Sequence, residues 1–397
     1  MRRGLLFSVR QAIWATCDMS NVKPLNLVQK LAARFEGTAP GPTAQARRIP
    51  VSAYTDVARF DREHQRLFLQ QPLIVAHASQ LGNSGDALVW DWLGVPLITL
   101  RDKSGAIATF KNVCRHRGMR LVQDEGQTCL RALVCPYHQW TYGLDGALRN
   151  IPRDEVFSDL DTASLGLARV ATEVRHGLVW VQAEGKMKLD EHLAGLGDDL
   201  DEFQLADHHF CQQSVRSVKA NWKFIQDAFL DAYHVTRLHK NTVGPFFPDA
   251  VAETDLIGRH TRSAVARNEI EEAVNLPADQ LDLRRHATFS YTVFPGSVLV
   301  FQPDYPAVIS LFPQAPDRTV FVHSMLTPHP PASDEEQAHF ARSFRLIDEG
   351  VFGAEDIFVA EGAQRGIESG ANDHLIFGGL EEAAISFHEL VERAIEQ

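Results

Sequence analysis

Two short pieces of this chain, Cys114-Arg115-His116-Arg117-Gly118 and Cys135-Pro136-Tyr137-His138, constrain its fold more than any other feature. Each sets one thiol and one imidazole within a few residues of each other. Eighteen residues, 117 to 134, separate His116 from Cys135. Two thiols and two imidazoles can hold a zinc ion or an iron–sulfur cluster. A zinc finger usually keeps its cysteines together and its histidines together. Here each piece carries one of each, which suits a two-metal centre with one ion on both thiolates and the other on both imidazoles. The plainer alternative, two buried structural cysteines with incidental histidines, suits a single cysteine better than a paired pattern.

The surrounding sequence is strand-like. Ala87-Leu88-Val89-Trp90, Pro96 to Leu100 and Leu178 to Val181 are short apolar runs, and Lys103-Ser104-Gly105 and Leu144-Asp145-Gly146 are hairpin-turn signals. The stretch from about residue 73 to 182 reads as a small all-β domain. Five cysteines in 397 residues are too few for a disulfide framework and direct attention to metal or redox chemistry. Cys17, Cys129 and Cys211 lie outside the pattern and read as small core hydrophobes.

Residues 1 to 37 read as a helical arm with Leu25, Leu27, Val28, Leu31 and Ala32 on one stripe, followed by a linker from Thr38 to Ala46. Beyond residue 186 the pattern mixes helix and strand. Trp222 to His239 is helix-like. Ala287 to Pro295, Ser297 to Gln302, Ala307 to Phe312 and Thr319 to Thr327 have hairpin spacing. Ser333 and Glu336 form a capping box before Phe340, Phe344 and Ile347, and Ala384, Phe387, Val391 and Ala394 stripe a last helix. The expected fold class is α+β: an all-β domain ahead of a domain with an antiparallel sheet and helices. The expected boundaries are 1–48 for the arm and linker, 49–185 for the β domain and 186–397 for the second domain.

The formal net charge of −12 does not favour nucleic acid. No stretch approaches the roughly 20 apolar residues of a membrane span. The run Gly4 to Phe7 is broken by Arg10 and Gln11, so no secretion signal is read and a cytoplasmic protein is expected.

The second informative stretch is Asn221 to His239, containing Asp231-Ala232-Tyr233-His234 and then His239. In a regular helix, positions five apart are rotated by about 140° from one another. His234 and His239 therefore converge only if the helix is distorted or ends between them. Asp231, three residues before His234, shares its face and can orient that imidazole. Two histidines need a carboxylate to complete the facial triad of a non-haem Fe(II) oxygenase.

Together these motifs resemble those of the Rieske non-haem iron ring-hydroxylating oxygenases, in their α (oxygenase) subunits, from about residue 70 to the C-terminus. The flanking Arg117-Gly118 and Trp140 are similar to that family's cluster loops. Met119, and the lack of a cysteine just after Cys135, set the chain apart from respiratory Rieske proteins, whose loops carry an extra disulfide. Gln139 stands where the family usually has glycine, and Gln226-Asp227 where many members have Glu-Asn. The resemblance implies a Rieske domain before a helix-grip catalytic domain. It implies a 2Fe–2S cluster on Cys114, His116, Cys135 and His138, and a mononuclear Fe(II) on His234, His239 and an aspartate on a C-terminal helix. That aspartate is assigned to Asp356, with Glu355 as the fallback.

The same resemblance implies O2 as co-substrate and electrons from a separate reductase or ferredoxin, since no flavin or nicotinamide motif is present. It implies a homotrimer in which a neighbour's cluster approaches the iron, with a path from His138 through Asp231 to His234. The substrate is expected to be aromatic, an aromatic acid in particular. The alternative is a quaternary amine such as choline, betaine or carnitine, which the Glu355-Asp356…Gln364-Arg365-Gly366 piece also resembles. Phe229, Phe246, Phe247, Phe289, Tyr291, Phe294 and Phe301 are candidates for the pocket wall. Arg237 and Lys240 are candidates to pair with a substrate carboxylate. A Rieske electron carrier and a zinc interaction module are the remaining rivals.

Overall fold

The computed structural model describes residues 23–39 and 45–396. Its first β unit is a seven-stranded antiparallel sheet, in spatial order Leu73–His77, Leu178–Gln182, Arg169–Arg175, Ile107–Lys111, Leu97–Arg101, Asp86–Trp90 and Gly126–Cys129. The two hairpin signals lie where the sequence places them. One joins Leu97–Arg101 to Ile107–Lys111, and the other joins Thr141–Tyr142 to Leu148–Asn150. The second hairpin belongs to a three-stranded sheet with Leu133–Val134. Leu133, Trp140 and Tyr142 fill the core beneath it.

The second unit is another seven-stranded antiparallel sheet. Its order is His209–Val218, Arg318–Thr327, Pro306–Ala315, Ser297–Phe301, Ala287–Val293, His260–Ala266 and Ala252–Ile257. The two faces of this sheet differ. Side chains alternate along each strand, so Phe289, Tyr291 and Phe301 fall on one face and pack into a core with Phe203 and Leu299. Thr288, Ser290 and Val300 fall on the other. There a cross-strand row, Thr254, Ser263, Ser290, Val300 and Ala307, offers only small side chains.

Helices cover both faces. The arm is a helix over Lys23–Phe35, and its stripe of Leu25, Leu27, Val28, Leu31 and Ala32 is buried in the core of the second sheet. Residues 1–22 of the expected arm lie outside the described residues. Arg47–Pro50 pairs with His374–Phe377, so the segment before the first β unit is tied to the C-terminal part of the chain. A buried ion pair reinforces that tie: Glu63 accepts from Lys223 Nζ at 2.5 Å and from Trp222 Nε1 at 2.9 Å. Ser333 caps the helix Asp334–Arg345 by accepting from the Glu336 N–H at 3.2 Å. That helix runs on through a wider π-helical stretch, Leu346–Asp356, into Ile357–Glu368. No helix among the described residues is long and apolar enough to cross a membrane.

Candidate metal sites and substrate pocket

The two Cys/His pieces form matching turns. Gly118 N–H donates to the Cys114 carbonyl at 3.0 Å, and Gln139 N–H donates to the Cys135 carbonyl at 2.9 Å. Each turn is closed again by a cysteine N–H, from Cys114 to Met119 O and from Cys135 to Trp140 O. Gly118 has φ +74° and Gln139 has φ +59°, both left-handed. This explains why glycine is usual at position 139: a Cβ costs about 1–2 kcal/mol in that region.

The turns bring their side chains together by type. The His116 and His138 rings have centroids 4.7 Å apart, and His116 stacks on Trp140 at 4.8 Å. Cys114 and Cys135 are buried, and Cys114 Sγ lies 3.4 Å from the Tyr142 hydroxyl, which also accepts from the Arg115 N–H. Burial pushes the Cys114 thiol up, so a thiolate there needs a metal cation to offset its charge. His138 Nδ1 is buried with no hydrogen-bond partner. Among the described residues, only His234, His239 and Asp356 bring three metal-ligand atoms within 4.8 Å of one another. Paired thiols, paired imidazoles and an orphaned ring nitrogen fit a two-iron cluster.

The single helix expected over Trp222 to His239 is broken in two, and His234 and His239 cap the ends of the second, a turn long. Trp222–Phe229 is helical, and Asn221 caps its start by accepting from the Lys223 N–H at 3.0 Å. The chain then turns, and Asp231 Oδ1 accepts from the Tyr233 N–H at 2.5 Å. A second short helix, Val235–Leu238, separates the two histidines. Their rings meet with centroids 5.0 Å apart.

Glu355 and Asp356 come from the end of the π-helical stretch and serve different atoms. Asp356 Oδ1 lies 3.3 Å from His239 Nε2 and 3.7 Å from His234 Nε2. Glu355 Oε2 takes the other side of His239, 2.7 Å from Nδ1, and also accepts from Thr242 Oγ1 at 2.7 Å. Asp231 Oδ2 is 3.5 Å from His234 Nδ1. Burial alone would depress the His239 pKa, but the carboxylates Asp356 and Glu355 beside it outweigh burial and raise it. The orphaned Asp356 Oδ1 and the raised His239 mark a place built for positive charge. This donor set, two imidazoles and one carboxylate, fits a mononuclear Fe(II).

The π-helical stretch is anchored from below. Asp348, buried within it, accepts from Arg216, from Ser214 Oγ and from His323 Nδ1, the last at 2.9 Å. Gly353 leaves room for this, since a Cβ there would sit 2.5 Å from Arg216 Nη1.

A cavity of about 470 Å³ opens beside the triad. Its floor is the small-residue face of the second sheet. Phe229, Tyr233, Phe247, Tyr305 and Phe352 contribute aromatic walls. Of the seven aromatic residues expected there, Phe229 and Phe247 line it. Phe289, Tyr291 and Phe301 lie on the opposite sheet face, Phe294 is core, and Phe246 is exposed. Arg237 and Lys240 do not reach the cavity: Arg237 pairs with exposed Asp249 at 2.6 Å and stacks on Tyr233. The cationic side chain in its lining is Arg34, from the N-terminal helix, far in sequence from the iron motif.

Residues 71–163 match the Rieske [2Fe-2S] domain, and residues 198–397 match the ring hydroxylating α subunit catalytic domain. The carnitine monooxygenase oxygenase subunit of Escherichia coli K12 is 26% identical over 332 residues, covering 81% of this chain and 84% of that protein. The biphenyl 2,3-dioxygenase α subunit of Rhodococcus jostii RHA1 is 29% identical over 218 residues, 53% of this chain and 47% of that protein. A crystal structure of a quaternary ammonium Rieske monooxygenase superposes with a TM-score of 0.76 at 21% identity, over 88% of this chain and 95% of the other.

The chain belongs to the α-subunit family of Rieske ring-hydroxylating oxygenases. It is an oxidoreductase that uses a Rieske cluster, a mononuclear iron and O2, on a small-molecule substrate, with electrons from a reductase or ferredoxin.

Proposed function

We propose that this enzyme hydroxylates a small quaternary amine, in place of the aromatic acid that the sequence favours. The observation that carries this reading is the character of the cavity. Aromatic rings and the carboxylates Asp231 and Glu382 line it, and Arg34, its one lysine or arginine among the described residues, is paired with Glu253. Ring faces and carboxylates both attract a cation that cannot donate hydrogen bonds. The carnitine-oxidising relative, aligned over most of both chains, supports the same class. The biphenyl-oxidising relative aligns over half, and its class is the second outcome of the test below.

In this reading Cys114 and Cys135 hold one iron of the cluster, and His116 and His138 the other. His234, His239 and Asp356 hold the mononuclear iron. When bound, the cluster supplies electrons one at a time and the iron supplies the site of O2 activation. The chain does the rest by positioning. Glu355 fixes the His239 ring through Nδ1 and leaves Nε2 facing Asp356. Asp231 Oδ2 stands 3.5 Å from His234 Nδ1, between that ring and the recess through which electrons would enter. Val235, Val243, Val300, Ile347 and Val351 give the cavity apolar lining beside the triad.

In an assembly of copies, the side of His234 away from the cavity would receive the cluster turns of a neighbour. A smaller recess there, about 150 Å³, is lined by Asp227, Asp231 and Glu381 together with His234 and Asp356. The cluster turns present exposed Arg115, Arg117 and Tyr137. Opposite charges on the two faces suit a head-to-tail contact between copies, the kind of interface that a cyclic homotrimer needs.

The test is O2 consumption and product formation with a reduced electron donor and a panel of glycine betaine, L-carnitine, choline, benzoate and biphenyl. Product formed one-to-one with O2 from a quaternary amine supports the reading. Coupled turnover of benzoate or biphenyl alone refutes it and reinstates the aromatic one.

A further inference from the structure

Eleven residues of π-helix, Leu346–Asp356, run into the α-helix Ile357–Glu368. π-Helical turns are rare and mostly single, so a stretch this long needs something outside its own backbone to hold it. The wide winding persists up to Asp356, since the Ile357 N–H donates to the Phe352 carbonyl five residues back. A slip of one residue toward ordinary α winding would turn the Asp356 side chain by about 100° relative to His234 and His239.

The hold comes from the sheet face that also floors the cavity. Ser214 pairs with His323 and Arg216 with Phe321, so these four side chains share one face. Met325, two residues beyond His323, pairs with Ala307 of the cavity floor. From this face Ser214 Oγ, Arg216 and His323 Nδ1 all donate to the buried carboxylate of Asp348. Burial and the Arg216 charge lower the His323 pKa to about 3, so the ring is neutral and its one proton sits on Nδ1, facing Asp348. The other ring nitrogen is buried without a partner. A carboxylate with three donors, one of them a cation, is a strong and directional anchor.

Asp348, Phe352 and Asp356 follow one another at four-residue intervals along the stretch. Asp348 takes the anchor. Phe352 packs edge-on between the His323 ring, at 5.0 Å, and the Phe229 ring of the helix before the iron motif, at 5.6 Å, and it lines the cavity. Asp356 meets the two histidines. The fit is close: a Cβ on Gly353 would stand 2.5 Å from Arg216 Nη1 and 3.2 Å from the Asp348 carbonyl oxygen.

We infer that Asp348, with Arg216, Ser214 and His323, is a positioning residue that fixes the winding of this stretch and so places the Asp356 carboxylate and the Phe352 wall together. None of the four lines the cavity. The inference rests on Asp356 being the carboxylate ligand of the iron. It makes metal affinity depend on a network that lies outside the triad.

The test uses the full chain with its cluster in place. Ferrous iron is titrated into iron-depleted protein, and nitric oxide is then added to read the iron by EPR. Asp348→Asn removes the charge at nearly constant size, and Gly353→Ala displaces Arg216 while Asp348 stays intact. Both should bind iron about 10- to 100-fold more weakly than wild type, with a nitrosyl signal of altered shape. The reduced-cluster signal should not change. Asp199→Asn is the control, since it weakens a buried pair with Arg262 on the opposite face of the sheet. Its occupied iron sites should give the wild-type nitrosyl shape. Wild-type affinity and shape in either folded variant overturn the inference, as does the same change of shape in Asp199→Asn. If Asp348→Asn loses the cluster signal, Gly353→Ala decides by the same two outcomes. A wild-type chain without a nitrosyl signal refutes the iron assignment itself, whereas a wild-type signal with unchanged variants refutes the positioning role alone.

Discussion

The two metal sites are built on opposite plans. The cluster site is local: two turns 21 residues apart, counted from Cys114 to Cys135, each close on themselves through their own backbone hydrogen bonds. The mononuclear site is assembled across the chain. In the proposed mononuclear site the carboxylate, Asp356, lies 117 residues beyond His239, on a helix whose register depends on the π-helical stretch and on the buried Asp348 beneath it. A local site depends on the residues within its loops. A distributed site also depends on residues that touch no ligand, and the two should respond differently to substitution.

The largest expected effect is His234→Ala, which should abolish turnover and remove one iron while the cluster's visible absorption persists. Loss of the cluster colour instead would erase the distinction between the sites. Next comes Asp231→Asn. Both metals should stay bound, and turnover should fall by about 100-fold or more if this carboxylate joins the centres. Turnover within a few-fold of wild type would remove Asp231 from the electron path.

Glu63→Ala should destabilise the fold by about 3–5 kcal/mol, because it leaves Lys223 buried and unpaired. Thermal or urea unfolding would read this directly, and the loss should affect iron occupancy before it affects the cluster. Acid should act similarly. Burial lowers His77 and His260, each to about 4, so both rings are neutral in the folded chain. The unfolded chain takes up those protons below about pH 6.5. The two rings therefore destabilise the fold as pH falls from about 6.5 toward 4, by on the order of 3 kcal/mol each. His260→Gln should flatten that part of a Tm-against-pH curve; an unchanged slope would contradict the assignment.

The smallest effect concerns the cluster turn. Gln139→Gly should stabilise the chain by about 1 kcal/mol or less, since relief of the left-handed conformation is partly offset by added freedom in the unfolded chain. A destabilised variant would show that the Gln139 side chain has a role of its own.

The same contrast explains what could be read from sequence. The cluster turns, the hairpins beside them and the Leu25 to Ala32 stripe depend on neighbours within a few residues, so their pattern is visible in the chain. The break after Phe229 lies upstream of both histidines, so their spacing did not call for it; the spacing called for a distortion or an end between them, and the single helical turn Val235–Leu238 stops at His239. The division of labour between Glu355 and Asp356 was not legible, because it is set by π-helical winding that no local signal announces. The strands Ala252–Ile257, His260–Ala266 and His209–Val218 were missed since polar and charged residues interrupt their apolar pattern. The aromatic candidates failed for a related reason: which face of a strand meets the cavity is decided by its partners. Arg34 was invisible for the same cause, being brought to the pocket by a helix some 200 residues from the iron motif.

Iron and acid-labile sulfide per chain in Glu355→Ala and Asp356→Ala, each beside wild type, test the central assignment most directly. Wild type should hold three irons and two sulfides. Asp356→Ala should hold two of each, with an intact Rieske EPR signal. Glu355→Ala should keep the third iron, bound about 10- to 100-fold more weakly. A third iron retained in Asp356→Ala and lost in Glu355→Ala would contradict the site as described.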